Sequence, residues 1–177
     1  MKNPLIFSFI AFFTIFLSIA SVSVTSAQEP GSIISVGALG GMQGSSLTGI
    51  KSGQYYSLRG SFLNFFGELR HDDWGNSSSY VRDNGILGGI DFSLFHIMVA
   101  GAVGFGQSSY QAVTAVGGIT PGVQSYSTFI YEGQAMYQFD IISGFMTAGI
   151  GVNYVAESNN IAPITGLGGV AMLSIGL

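Results

Sequence analysis

The chain has 177 residues, room for one domain and a targeting segment. Its charged residues amount to 8%, against roughly 25% in an average soluble protein. A net charge of -4 argues against a nucleic-acid partner. The absence of cysteine excludes disulfides, thiolate metal sites, a thiol nucleophile and a lipidated cysteine.

Glycine is abundant at 27, proline scarce at 4, and the mean hydropathy is +0.49. That is a membrane composition. Yet beyond residue 27 no apolar run approaches the ~20 residues that a spanning helix needs. Lipid leaves no backbone polar group without a partner, so the remaining solution is a closed β-barrel.

The first residues read as a secretory signal. Lys2 supplies the positive charge, Leu5 to Ala20 the apolar region, and Thr25 and Ala27 the small residues of a cleavage site. The expectation is a cleaved signal peptide over 1–27 and a barrel over 28–177. An uncleaved membrane anchor is the competing reading.

The remainder alternates strand-like runs with connections that are in turn long and short. Strand one covers Ile33 to Gln43 and is followed by a polar loop, Gly44 to Gly53. Strand two, Gln54 to Leu63, sets Tyr56, Leu58, Gly60 and Phe62 against Tyr55, Ser57, Arg59 and Ser61. A tight turn near Asn64 leads into strand three, Phe66 to Trp74. Its outward row, Gly67, Leu69, His71, Asp73, turns polar early, so either the bilayer ends near His71 or a bulge shifts the phase.

A second polar loop spans Gly75 to Asn84. Strand four, Gly85 to Leu94, and strand five, Ile97 to Gln107, are joined at Phe95-His96. The longest connection, Ser108 to Gln124, precedes strand six, Ser125 to Gln138. Strand seven, Gly144 to Val155, follows a short turn, and Ala156 to Pro163 leads into strand eight, Thr165 to Leu177. There Leu167, Gly169, Ala171, Leu173, Ile175 and Leu177 alternate with smaller residues, the period-2 pattern of a strand with two faces.

Eight strands joined in this way predict an all-β, eight-stranded antiparallel up-and-down transmembrane barrel, with short periplasmic turns and longer extracellular loops. Aromatic residues flank both the short turns and the long-loop ends, as two interface girdles would. A soluble lipocalin-type barrel is the alternative, but its outer face calls for more charge.

Most ionisable strand residues fall on the inward parity: Arg59, Glu68, Arg70, Asp91 and Glu132. Counted from the short turns they should meet at middle depth as a salt-bridge network filling the lumen, with Arg59 and Glu68 paired first. A gated ion path is the functional alternative. His71-Asp72-Asp73 is the one local acid–base cluster, readable as a solvated strand end or as half of a hydrolytic site in which Asp orients His. His96 lies at the opposite end. No phosphate loop, serine elbow or metal-ligand spacing occurs, so no catalytic residue, metal ligand or cofactor is expected. The third long loop carries Val113, Val116, Ile119 and Val123, apolar for an exposed segment and a candidate contact surface.

The signal peptide, the run Tyr131 to Phe139 and the alternating terminal strand resemble the small eight-stranded outer-membrane barrels of Gram-negative bacteria, the OmpX, opacity-protein and OmpA-barrel group. The resemblance covers Gln28 to Leu177 and is one of architecture. It implies a monomer in the cell outer membrane, surrounded by lipid and lipopolysaccharide. It also implies insertion by the barrel assembly machinery through a C-terminal signal, Leu173, Ile175 and Leu177, which ends in Leu where that group usually has an aromatic. The lipid A deacylase of that group has a His-x-Ser pair, which neither histidine here provides. The expected function is a non-enzymatic barrel, structural or adhesion-like through its loops. A lipid-modifying hydrolase with His71 at the rim, or a narrow channel, is the alternative.

Overall fold

The computed structural model describes residues 34–47, 50–75, 79–111, 122–159 and 163–177. The signal-peptide reading and Val113, Val116 and Ile119 of the third loop lie outside them. The described residues form eight strands: β1 (Ile34–Ser45), β2 (Ser52–Phe62), β3 (Phe65–Gly75), β4 (Tyr80–Leu94), β5 (Ile97–Gln111), β6 (Gln124–Ile142), β7 (Met146–Ser158) and β8 (Ile164–Gly176). Each pairs antiparallel with its neighbour in sequence, and β8 pairs with β1, closing the barrel.

Closure sets a stagger. Following cross-strand partners from Ile34 through Phe62, Phe65, Ile90, Gly101, Gly133, Tyr154 and Leu167 returns to β1 at Gly44, ten residues further on. Ten residues over eight strands correspond to a strand tilt of about 40–45°. Each pairing row therefore spirals toward the long-loop end by roughly 3 Å per strand.

Three short hairpins close one end. Leu63 and Phe95 adopt left-handed φ angles of 54° and 53°, while the third turn uses Gly144 at 72°. β6 carries an irregularity between Asp140 and Ile142, beside that turn.

β3 pairs without interruption from Phe65 to Gly75, so the bulge considered for it is absent. Its outward row turns polar because the apolar band ends there. Leu58, Leu69, Ile86, Phe105, Ile150 and Leu167 are each 58–66% exposed. With the spiral taken into account they belong to a band roughly 20–25 Å tall. Outward charges among the described residues stand at its edges: Asp73 and Arg82 at one, Asp140 at the other. A charge facing lipid at mid-depth would cost about 2–4 kcal/mol.

Strands β4, β5 and β7 extend further than their alternation predicted, β4 starting at Tyr80, β5 ending at Gln111 and β7 ending at Ser158. These extensions add inward residues at the long-loop end.

Candidate functional site

The inward row of each strand fills the lumen in layers. Leu39, Phe66, Met98, Ala100, Met136 and Met172 form an apolar layer toward the short turns. Trp74, Val81, Ile50 and Ile164 form another at the long-loop end, all 2% exposed or less. Polar side chains occupy the space between.

The middle layer is one connected network. Arg59 donates to Glu68 Oε2 from Nε at 2.8 Å and from Nη2 at 2.6 Å, and to Gln134 Oε1 at 2.8 Å. These two residues face each other across the β2–β3 ladder, so cross-strand register alone brings them together. Arg70 donates to both oxygens of Asp72, at 2.6 and 2.7 Å, and reaches Glu132 on β6 across the lumen. Glu132 Oε1 also accepts from Gln134, at 2.7 Å, and from Asn153. Asn153 Oδ1 in turn accepts from Gln43 at 2.7 Å. The arginines stack as well, Arg59 3.8 Å from the Phe66 ring centroid and Arg70 4.1 Å from that of Tyr55. Every ionised group of this layer is at most 4% exposed in its side chain.

Four of the five residues singled out in the sequence, Arg59, Glu68, Arg70 and Glu132, thus converge. Asp91 does not join them. Glu68 pairs with Leu87 on β4, and Asp91 is four residues nearer the short turn, a distance of about 13 Å along the strand. Among the described residues it forms no ion pair with either arginine. Counting from the turns placed it too high because the β4–β5 turn hangs below the β2–β3 turn in the staggered barrel.

Sequence reasoning missed Asp72, Gln43, Asp83 and Glu157 as lumen residues, although all are at most 2% exposed. Gln134 and Asn153 also face the lumen, at 3% and 0% exposure. Asp72 already lies on the inward parity of the strand predicted over Phe66 to Trp74, and extending the alternation of β4 and β7 by one inward step would have found Asp83 and Glu157.

The rim cluster also resolves. Asp72 faces the lumen and is held by Arg70, while Asp73 faces outward and pairs with Arg82 at 3.2 Å. His71 shares an outward row with Asp73, but its Nδ1 meets Asn84 Oδ1 at 2.8 Å and its ring lies 4.8 Å from that of Tyr56. The general-base arrangement in which Asp orients His71 is therefore not formed. His96 sits at the opposite end beside Tyr137. Among the described residues no three His, Cys, Asp or Glu side chains converge as a metal cluster.

On the outer surface, Val123 is 55% exposed. Leu173, Ile175 and Leu177 of the C-terminal row are also turned outward. The Leu177 amide donates to the Ile34 carbonyl at 2.8 Å, fastening the end of the chain to β1.

No family model and no curated protein matches the chain. Solved structures do. The N-terminal β-barrel domain of Pseudomonas aeruginosa OprF aligns with a TM-score of 0.54 at 6% identity, over 78% of this chain and 96% of that one. Neisserial surface protein A aligns at 0.54 and 13%, over 84% and 100%. Ail, the attachment invasion locus protein of Yersinia pestis, aligns at 0.52 and 12%, over 81% and 99%. Identities this low speak for the fold alone: the chain has the closed eight-stranded architecture of the small outer-membrane β-barrels.

Proposed function

We propose that the protein is a non-enzymatic barrel of the cell outer membrane that acts at its outer surface, as a structural element and as an adhesion-like contact through its long loops. The observation that carries this reading is the division of the barrel: an apolar exterior band bounded by polar rims, around a lumen occupied by buried side chains. Lipid is the solvent that favours such an exterior. Residues 1–27 act as a cleaved export signal, the assembly machinery reads the Leu173, Ile175, Leu177 row, and the mature barrel is a monomer among lipid and lipopolysaccharide. Layers of packed apolar and ion-paired residues oppose ion flow, which disfavours the channel reading.

The outer contact rests on Val113, Val116, Ile119 and Val123. The attachment and surface proteins that share the fold support it by analogy. Ail has also been crystallised with a heparin analogue, sucrose octasulfate. That ligand class does not suit this chain. Of its five Lys and Arg residues, Lys2 lies in the signal, Arg59 and Arg70 are buried, and Arg82 is paired with Asp73, which leaves Lys51 as a single exposed cation to meet a polyanion. The contact is therefore apolar rather than polyanion-binding.

The test is expression in a Gram-negative host, with membrane fractionation, heat-modifiable gel migration and planar-bilayer recording. The expected result is an outer-membrane, heat-modifiable, non-conducting protein. Stepwise conductance, or recovery outside the outer membrane, overturns the reading. A variant with serine at 113, 116, 119 and 123 should bind plates coated with matrix proteins less well at equal surface display. Equal binding removes the adhesion-like part.

A further inference from the structure

The lumen holds more acid than its arginines can match. Glu68, Asp72, Asp83, Glu132 and Glu157 are buried against Arg59 and Arg70. The arginines take up Glu68, Asp72 and Glu132. Among the described residues Asp83 and Glu157, 0% and 2% exposed, form no ion pair near the long-loop end. Their carboxyl groups lie within hydrogen-bonding reach of each other. Trp74 Nε1 donates to Glu157 Oε1 at 3.2 Å, but both Asp83 oxygens and Glu157 Oε2 have no donor.

A second set of atoms points the same way. Ser108 and Thr128 are 0% and 3% exposed; among the described residues the buried Thr128 hydroxyl has no partner, and the buried hydroxyls of Ser108 and Tyr126 have only each other within reach. Register places them beside the acids. Asp83, Ser108 and Tyr126 are consecutive cross-strand partners on β4, β5 and β6, all facing inward. Thr128 is the next inward residue of β6, and Glu157 on β7 pairs with Ile130, two residues from Thr128. Six oxygens with no partner outside this group among the described residues thus gather on four adjacent strands, at neighbouring positions. Burying that many acceptors beside two carboxylates is costly unless positive charge joins them.

The donor set defines the class of that charge. It is all oxygen, with two carboxylates and neither thiolate nor imidazole, which suits a hard divalent ion rather than zinc or copper. Side chains of unequal length from separate strands favour the irregular shell of calcium over the strict octahedron of magnesium. Asp72, the third acid of this region, is already neutralised by Arg70. We propose that Asp83 and Glu157, with the hydroxyls of Ser108, Thr128 and Tyr126, bind one calcium-type cation inside the outer mouth of the barrel, beneath Trp74 and Ile164. The site ties β4 to β7 where the long loops emerge, independently of what those loops contact.

Trp74 makes the site measurable. It is the single tryptophan of the chain and touches Glu157, so it should sensitise terbium luminescence at the site. The full mature chain is refolded in detergent with the metal present during refolding, because the layer is covered by buried residues. Expected are saturable terbium luminescence, displacement by calcium, and a higher thermal midpoint in calcium than in EDTA. Asp83→Asn and Glu157→Gln should each weaken terbium binding at least tenfold, and the outward Asp73→Asn should leave it unchanged. Absence of saturable luminescence in wild-type protein with heat-modifiable migration overturns the proposal. So does a midpoint that follows pH but ignores calcium and EDTA, the behaviour of two acids sharing a proton. Should a variant fail to fold, the wild-type comparison in calcium and EDTA decides.

Discussion

Replacing Arg70 by methionine tests the central layer most directly. The change keeps an apolar stem but removes the guanidinium that bonds Asp72 at 2.6 and 2.7 Å, reaches Glu132 and covers Tyr55. Asp72 then has no cation, and Glu132 keeps only Arg59 at 4.0 Å. Both acid side chains are 1% exposed, so water cannot compensate. Removing one partner of a buried ion pair costs about 3–5 kcal/mol, a large share of the ~5–15 kcal/mol that holds a domain together. Adding Asp72→Asn removes the orphaned charge and should recover about 1–3 kcal/mol. Urea unfolding in phospholipid vesicles, followed by Trp74 fluorescence, measures both values. A loss below about 1 kcal/mol for Arg70→Met, or no recovery in the double variant, would refute the account of unpaired charge.

Adjacent glycines on opposite faces of β8 should respond oppositely to alanine. A Cβ at Gly168 collides with the Met42 carbonyl, whereas at Gly169 the nearest atom is 4.0 Å away. Gly168→Ala should cost more than about 2 kcal/mol in the same unfolding assay and Gly169→Ala less than about 1 kcal/mol. At the C-terminus, Leu177→Phe should assemble normally, because Leu177 is 75% exposed and holds β1 through its backbone amide. Deleting residues 173–177 removes pairing with both β1 and β7 and should abolish the heat-modifiable form in outer-membrane fractions.

Period-2 alternation was readable wherever one face of a strand meets lipid and the other a mixed lumen. It located all eight strands and the correct inward parity, because a strand's two rows then differ in composition. The signal fades where the outward row also turns polar. In β4 the segment Tyr80, Val81, Arg82, Asp83, Asn84 resembles a loop in composition, yet it is a strand whose Val81 and Asp83 are fully buried. The same loss of contrast hid Glu157 at the end of β7 and left β3 open to a bulge. Lipid writes the pattern, so the pattern stops at the edge of the lipid band.

Depth in the lumen is a different matter, because it depends on stagger, a property of the closed sheet rather than of any one strand. Arg59 and Glu68 could be paired from the sequence since they flank one tight turn at equal distances, and the ladder joins them directly. Arg70 and Glu132 sit on β3 and β6, which are not neighbours, and meet only because each pairing row climbs from strand to strand. Asp91 counts the same four residues from its turn as Arg59 does, yet lies below the network for that reason. Parity predicts which charges enter the lumen, and closure decides which of them touch. A surplus of acid over arginine at the outer mouth follows from both together: parity buries Asp83 and Glu157, and the stagger carries them above the reach of Arg59 and Arg70.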